Sequence, residues 1–412
     1  MGWTTGLAER TRAKAVLQAV PQFLDTNDLM SQAWSLSLNE RPMRFLHTAD
    51  WQMGMRAESV GKLAERVREE RLAAAQRVVQ AARDHNAGML LLTGDVFEDN
   101  AVDRLLVRKV GEVLRRFPGP VYIIPGNHDP LSPGSVWEHS VWREAENITV
   151  FTQNEPLGLD TCVLFPCPLR EKYSRKDPTA WINAHDAAKP AIGLAHGNVE
   201  GIPGGEPEYP IPRDAATRLG LDYLALGHWH SHARYDADDG VCRMAYAGTH
   251  ETTKFGERDS GNAVLVEIAG RGSPPELTPV KTGRLDWRTI ERTLDQPQSL
   301  EALVGELGQL APPDTTMVRV ILRGVLFPED RHALVRLEEL LASRFLFGSL
   351  DAGALIPAPD GEGWIESLPS GPFREAAVKL RAQAAQSADP EQRAIGTQAL
   401  LQLFELHERA RA

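Results

Sequence analysis

Five short apolar runs in this 412-residue sequence each end in side chains that can ligate a metal or move a proton. These side chains are Asp50, Asp95, Asn127 with His128, His196, and the pair His228 and His230. Carboxylate and amide oxygens, together with imidazole nitrogens, are the donors that bind divalent metals in proteins. Residues two apart in an extended segment point the same way, so His228 and His230 can be directed at one place. The pattern predicts two metals that share one carboxylate, with Asp95 as the best bridging candidate.

A polar turn follows the apolar run that begins at Val121. In this turn Asn127 offers a neutral carbonyl oxygen, and His128 can donate or accept a proton near neutral pH. We expect Asp129 to orient the His128 imidazole from behind. His128 is therefore the predicted catalytic residue, with Asp129 as its support.

Apolar runs alternate with amphipathic segments from Arg44 onward, which predicts a layered α/β fold. One helix is expected over about 60–85, with the charges from Glu65 to Arg71 on its solvated face. A second helix is expected after a cap at Asp103. Beyond the third strand the helical pattern becomes sparse, so we expect a second, more antiparallel sheet. The later strands of the chain are predicted near residues 148, 162, 191, 223, 243 and 263.

The chain divides into four predicted segments, with a domain boundary at the Gly- and Pro-rich stretch 270–275. An N-terminal extension, residues 1–42, precedes the main domain, residues 43–272. A small α+β domain follows over 276–365, and a helical segment over 366–412 ends the chain. Phe373 and Leu403 belong to apolar stripes on the two helices expected there.

Composition excludes several classes of protein. The net charge of −11 argues against binding nucleic acid through overall positive charge, although a local basic groove remains compatible with it. The three cysteines, Cys162, Cys167 and Cys242, form no C-x-x-C pair and predict reduced thiols. No apolar run is long enough to cross a membrane, and the first residues do not make a secretory signal. We therefore expect a cytoplasmic protein that does not associate with membranes.

The ordered set of motifs resembles the calcineurin-like metallophosphoesterases, and within them the SbcD-type DNA repair nucleases, including the YhaO-like branch. The resemblance covers Arg44 to Glu257 strongly and the last third of the chain weakly. It implies a layered β-sandwich flanked by helices, with a small α+β cap domain and C-terminal helices. It also implies two divalent ions, Mn²⁺ or alternatively Mg²⁺, and hydrolysis of a DNA phosphodiester by in-line attack of water.

The resemblance assigns a role to each motif residue. The ligands of the first ion would be Asp50, Gln52, Asp95 and His230. The ligands of the second ion would be Asp95, Asn127, His196 and His228. His128 corresponds to the residue that stabilises the transition state or protonates the leaving oxygen. Lys254, His250 and Arg56 are candidates for substrate contact, and Trp51 and Trp229 either stack on a base or pack in the protein.

Two positions depart from the family pattern. Gln52 stands where the family usually has an imidazole, and a Gln oxygen is a weaker ligand that suits Mn²⁺ or Mg²⁺ better than Zn²⁺. Glu98 stands where nucleases of this family often have His or Asp. The phosphoprotein phosphatases carry Asp-Arg after their Gly-Asp motif, whereas this chain has Glu98-Asp99-Asn100, which makes that branch a poorer match.

The resemblance favours an exonuclease in DNA repair that works with an SbcC- or YhaN-like coiled-coil ATPase docked on the C-terminal helices. Homodimers are common in the family, so a dimer is a further expectation. Two alternatives remain open. Gln52 can mark a catalytically weakened subunit that binds DNA or serves in assembly, and the same motifs can serve a phosphodiesterase acting on a small nucleotide.

Overall fold

The computed structural model describes residues 42–201, 208–358 and 363–411 of the chain. The predicted N-terminal extension lies outside these described residues, except for Pro42. No helix in the described ranges is both long enough and apolar enough to span a membrane.

The first sheet has six strands, three of whose pairings are parallel. They are β1 (Met43–Thr48), β2 (Met89–Thr93), β3 (Val121–Ile124), β4 (Ile148–Val150), β11 (Asn262–Ile268) and β12 (Glu276–Lys281). Their order is β12-β11-β1-β2-β3-β4, with β1 to β4 parallel to one another and β11 antiparallel to β1. The carboxyl ends of β1, β2 and β3 therefore lie at one edge.

The second sheet also has six strands, in the order β5-β6-β7-β8-β10-β9. They are β5 (Leu157–Gly158), β6 (Val163–Pro166), β7 (Ala191–His196), β8 (Tyr223–Gly227), β9 (Ala233–Asp236) and β10 (Cys242–Tyr246). The expectation that this sheet is more antiparallel was wrong, because β6, β7, β8 and β10 all run parallel. Parallel strands need a crossover connection but not a long helix, and between β7 and β8 the only helix in the described residues is Ala215–Arg218.

The core consists of three apolar layers, one between the two sheets and one on the outer face of each sheet. Leu91 and Ile124 of the first sheet pack with Ile192 and Leu194 of the second sheet in the space between them. Helices α1 (Ala64–Asp84) and α2 (Arg104–Arg115) cover the outer face of the first sheet. The shorter helices α3 (Val141–Glu144) and α4 (Ala215–Arg218) pack on the outer faces of the first and the second sheet respectively. The predicted α/β sandwich flanked by helices is confirmed.

Local backbone and side-chain features mark the start of the two long helices, α1 and α2. A 3₁₀ segment, Glu58–Leu63, precedes α1, and non-helical backbone at Gly61 interrupts this segment. The Asp103 carboxylate accepts a hydrogen bond from the Leu105 backbone N–H at 2.7 Å, which confirms the predicted cap of α2.

The stretch 270–275 is a turn within the first sheet. β12 pairs with β11 from Glu276 to Lys281, so residues just after the predicted boundary belong to the main sheet. Gly272 adopts a positive φ of 80°, which suits a tight turn between antiparallel strands. A Gly- and Pro-rich stretch indicates a change of direction equally well in a hairpin and between domains.

A small sheet follows, built from β13 (Asp286–Leu294), β14 (Thr316–Leu326) and β15 (Phe347–Pro357). Both of its strand pairs are parallel, and α5 (Ser299–Gln309) and α6 (Arg331–Arg344) connect successive strands. This alternation is an α/β arrangement rather than the α+β one expected for the cap.

The C-terminal segment contains α7 (Gly363–Ser367), α8 (Pro372–Gln386) and α9 (Pro390–Arg411). Ile365, Leu368 and Ala377 form a small buried cluster against Leu400 and Leu403. This segment therefore has only a small core of its own.

Candidate metal centre

The carboxyl ends of the parallel strands of both sheets meet at one end of the sandwich. The His196 Nδ1–H, at the end of β7, donates to the Thr93 carbonyl of β2 at 2.9 Å. The His228 backbone N–H, just after β8, donates to both carboxylate oxygens of Asp50 at 3.0 and 3.1 Å. Each of these bonds crosses from one sheet to the other, so the sandwich itself brings the predicted residues together.

A buried group of donor atoms lies at this junction. Asn127 Oδ1 is 2.9 Å from His196 Nε2 and 3.0 Å from His228 Nδ1. Asp95 Oδ2 is 3.3 Å from His196 Nε2. Ligand atoms of Asp50, Asp95 and His196 all lie within 4.8 Å of one another, and all three residues are buried. Oxygens and nitrogens converging in this way fit a divalent cation.

Two glycines make this convergence sterically possible. Gly94 adopts a φ of 89°, and a Cβ there would collide with the His196 ring. A Cβ on Gly126 would collide with the Asp95 carboxylate. Only glycine lets the backbone approach these side chains so closely.

Opposite charges are concentrated in the cluster. Burial raises the pKa of Asp50 to about 6, against the opposing charges of His196 and His230. Burial acts to raise the pKa of Asp95 as well, but the charge of His196 and a hydrogen bond from it hold that pKa well below its usual range. Burial acts to lower the pKa of His196, but Asp95 raises it to about 9. A bound cation would replace the proton that His196 holds against Asp95.

The residues predicted for the first ion are held by backbone in uncommon conformations. Asp50 and Gln52 both have positive φ, at 53° and 40°. The Gln52 backbone N–H donates to the Asp95 carbonyl at 2.9 Å, which fixes this turn against the segment after β2. Gln52 is buried, and its side-chain amide hydrogen-bonds to no other residue in the described ranges. Strained backbone of this kind is commonly found at functional sites.

Glu257 is a residue that sequence reasoning missed. Its carboxylate accepts a hydrogen bond from His230 Nδ1 at 2.8 Å, and it also accepts from the Thr253 backbone N–H at 2.8 Å and from the Thr253 hydroxyl. Its side chain is only 4% exposed. A carboxylate behind an imidazole fixes the ring and leaves Nε2 as the ligand atom. The bond joins residues 27 positions apart, with β9 and β10 between them, and no periodicity in the sequence marks it.

Arg71 was expected on the solvated face of α1, and that expectation was wrong. The guanidinium is buried and donates to the carbonyls of Trp51 and Asp50 and, at 2.8 Å, to the carbonyl of Glu251. It therefore ties the Asp50 turn to the segment that leads to Glu257. A buried cation is stable here because backbone oxygens surround it.

The expected pairing of Asp129 with the His128 ring was also wrong. Asp129 accepts hydrogen bonds from the backbone N–H groups of Gly126, at 2.7 Å, and Phe97, at 2.9 Å. The His128 Nδ1–H donates instead to the Glu98 carbonyl at 2.9 Å. A main-chain oxygen thus takes the role expected of Asp129, whose own role is to shape the turn.

The candidate substrate contacts divide into buried and exposed residues. His250 is fully buried, donates from its Nε2–H to the Arg71 carbonyl at 2.8 Å, and stacks on Trp51 with 5.0 Å between the ring centroids. Both are core residues, so the expectation of a substrate contact at His250 was wrong. Lys254, Arg56 and Trp229 are exposed.

Comparisons with known proteins agree with this geometry. A model of the calcineurin-like phosphoesterase family matches residues 43–232. The uncharacterized metallophosphoesterase YhaO of Bacillus subtilis (strain 168) is 26% identical over 240 residues, which cover 55% of this chain and 57% of YhaO. The DNA double-strand break repair protein Mre11 of Saccharolobus solfataricus is 25% identical over 222 residues, which cover 50% of this chain and 54% of Mre11.

The chain spans about half the length of these curated relatives. The crystal structure of TT1561 of Thermus thermophilus matches 58% of this chain and all of that one at 12% identity, with a TM-score of 0.38 that is too low to inform function. The family model therefore matches the segment that carries the candidate metal centre, and the expected phosphoesterase class agrees with this similarity.

Proposed function

We propose that this chain, whose residues 43–232 match the calcineurin-like phosphoesterase family, is a metal-dependent nuclease that hydrolyses phosphodiester bonds in DNA. The observation that carries the proposal is the convergence of donor atoms at the strand ends, contributed by Asp50, Asp95, Asn127, His196 and His228. The relative named as a DNA double-strand break repair protein favours DNA as the substrate.

Two groups of residues would hold the ions, Mn²⁺ or alternatively Mg²⁺. The first group is Asp50, Gln52, Asp95 and His230, and the second is Asp95, Asn127, His196 and His228. When bound, such ions activate water and neutralise charge on the phosphate. The groups share Asp95, whose carboxylate already contacts His196 and the backbone N–H of His128.

His128 supplies the proton-transfer group in this proposal. Its Nδ1–H is fixed on the Glu98 carbonyl, and its Nε2 has no hydrogen-bond partner among the residues the structure describes. When Nε2 also carries a proton, it can pass that proton to the oxygen that leaves phosphorus, and the ring returns to its neutral form. The backbone N–H of His128 donates to Asp95 at 2.9 Å, which holds the proton donor next to the shared carboxylate.

We extend the proposal to a cytoplasmic exonuclease in DNA repair that assembles with an SbcC- or YhaN-like coiled-coil ATPase. The support is the small core of the C-terminal helices and their exposed apolar side chains at Phe373, Val378, Ile395 and Leu406. Such side chains favour a protein partner. Co-expression with that ATPase should give a complex that Ile395→Glu with Leu406→Glu abolishes. If the chain does not bind the ATPase, this part of the proposal is wrong.

One observation favours a second candidate, a subunit that binds DNA but cleaves it poorly. Gln52 offers a weaker ligand than the usual imidazole at the first ion, and its amide has no hydrogen-bond partner in the described part of the chain that would fix its oxygen. Weak retention of that ion would reduce cleavage without affecting DNA binding.

One experiment separates the two candidates. Metal content and Mn²⁺-dependent DNA cleavage are measured on the wild type, Gln52→His and His128→Ala, with exposed His332→Ala on α6 as the matched control. Two ions per chain and cleavage that only His128→Ala abolishes support the nuclease. Cleavage that appears only in Gln52→His supports the binding subunit. Hydrolysis of a cyclic nucleotide without DNA cleavage would contradict both candidates and indicate a phosphodiesterase that acts on a small nucleotide.

A further inference from the structure

An exposed tryptophan stands between the two histidines that follow β8. The Trp229 side chain is 36% exposed, whereas Trp51, the other tryptophan within a motif, is fully buried. In the described residues Trp229 stacks on no other ring, and its indole N–H has no hydrogen-bond partner. Leaving so large an apolar surface in water is unfavourable, and a tryptophan at a site rim commonly contacts a ligand.

Trp229 lines a cavity of about 460 Å³ beside the metal centre, together with His228, His230, Lys254 and Phe255. The Phe255 ring is already engaged by the small sheet, since it lies 4.9 Å from the Trp287 ring and has the Arg319 guanidinium at 4.3 Å. Of the two aromatic rings, only Trp229 is therefore available to a ligand in this cavity.

Lys254 adds an unpaired positive charge to the same cavity. It forms no ion pair with any described residue. It lines the cavity together with the candidate metal ligands His228 and His230. A substrate phosphate next to these ligands would be attracted to the ammonium group.

We propose that Trp229 and Lys254 form a nucleotide subsite next to the metal centre, in which the indole stacks on one nucleobase and the ammonium group contacts the adjoining phosphate. This proposal rests on the proposed nuclease function where it concerns the reaction. The binding of a nucleotide at the subsite does not depend on that function. Bases inside a duplex are stacked on both faces, so the subsite takes an unstacked base. The substrate class is therefore single-stranded DNA or a frayed end.

The backbone at the subsite supports a fixed arrangement of these side chains. His228 has a φ of 110°, which is rare for a residue other than glycine. Such strain is retained where neighbouring side chains must be held in place, and here His228 is held by hydrogen bonds to Asp50 and Asn127. A rigid indole loses little freedom when a base stacks on it.

The test compares two ligands with the same phosphates. One is a short single-stranded oligodeoxynucleotide, and the other is an abasic oligomer of equal length. Dissociation constants are measured with the full chain, with Ca²⁺ in place of Mn²⁺, for the wild type, Trp229→Ala, Trp229→Phe and Lys254→Ala. Tyr173→Ala, which removes an exposed aromatic ring that does not line this cavity, is the matched control. Metal content of each variant shows whether the neighbouring histidines are undisturbed.

The wild type should prefer the oligomer with bases about tenfold or more, because one stacked base contributes on that order to binding. Trp229→Ala should lose this preference, and Trp229→Phe should keep most of it. Lys254→Ala should lower the affinity for both oligomers equally and reduce the salt dependence of binding. Tyr173→Ala should match the wild type.

Several results would overturn the subsite. The wild type could bind the two oligomers with equal affinity, or bind neither. Trp229→Ala could keep the wild-type preference for the oligomer with bases. Trp229→Ala could also lose affinity equally for both oligomers while its metal content stays intact. A wild type that shows the base preference but cleaves no DNA with Mn²⁺ would leave the subsite standing and remove the nuclease function. The two failures are therefore distinguishable.

Discussion

Replacing Glu257 with glutamine tests whether the buried carboxylate positions His230 as a ligand. The carboxylate accepts the His230 Nδ1–H at 2.8 Å and is fixed in turn by Thr253. Loss of such a supporting group typically weakens metal affinity tenfold to hundredfold, which corresponds to about 1.4 to 2.8 kcal/mol. Glutamine keeps an acceptor oxygen but removes the charge, so we expect Glu257→Gln to weaken metal affinity about tenfold. Glu257→Ala should weaken metal affinity by about hundredfold.

The assay is calorimetric titration of Mn²⁺ into metal-free protein at pH 8, where proton competition for His230 is reduced. The weaker of two binding steps should be lost or shifted in Glu257→Gln, while the stronger step, assigned to Asn127 and His196, should be unchanged. Glu267→Gln removes a partly exposed carboxylate paired with Arg44 and serves as the matched control. Equal weakening of both steps, or no change in either, would refute the assignment of Glu257 to His230.

Three further changes test the surrounding structure. Arg71→Met leaves several buried carbonyl oxygens without donors, so urea unfolding should show a loss of about 3 kcal/mol or more, and Arg71→Lys should recover part of it. Burial raises the pKa of Cys162 to about 11 and that of Cys167 to about 12, so these two thiols should react with a thiol reagent at pH 8 only after unfolding, and rapid native labelling would contradict their burial. Phe255→Ala removes the ring that contacts Trp287 and should speed proteolysis between the main and the small sheets, and an unchanged cleavage rate would show that the ring does not secure this junction.

The sequence was sufficient to predict the strand ends that form the centre. Asp95, Asn127 and His196 each follow or end a continuous apolar run, and parallel strands place such ends at one edge of a sheet. Side-chain chemistry and strand order together therefore predicted which residues converge. Their roles as ligands stay predictions until metal binding is measured.

Sequence reasoning failed where a partner lies far along the chain. Arg71 has the charge and neighbours of a surface residue, and only the folded backbone shows that carbonyls 20 and 180 residues away surround it. Asp129 follows His128 directly, which made it the obvious support, yet the turn directs its carboxylate to backbone N–H groups. Adjacent residues in a tight turn do not share a direction, so sequence proximity is a poor guide there.

The two groups of candidate ligands differ in how rigidly they are held, and this difference bears on how the centre would work. Asn127, His196 and His228 contact one another, and His196 is anchored to Thr93 of a central strand. The Gln52 amide has no such contact in the described residues, and His230 depends on Glu257 in a loop for its orientation. A ligand on a loop loses more freedom when it binds an ion, so the first ion should be the weaker one. That loop also carries Lys254 of the proposed subsite, so a nucleotide bound there would order the same segment. Binding of DNA and of the first ion should then strengthen each other, and by linkage the effect must be equal in both directions.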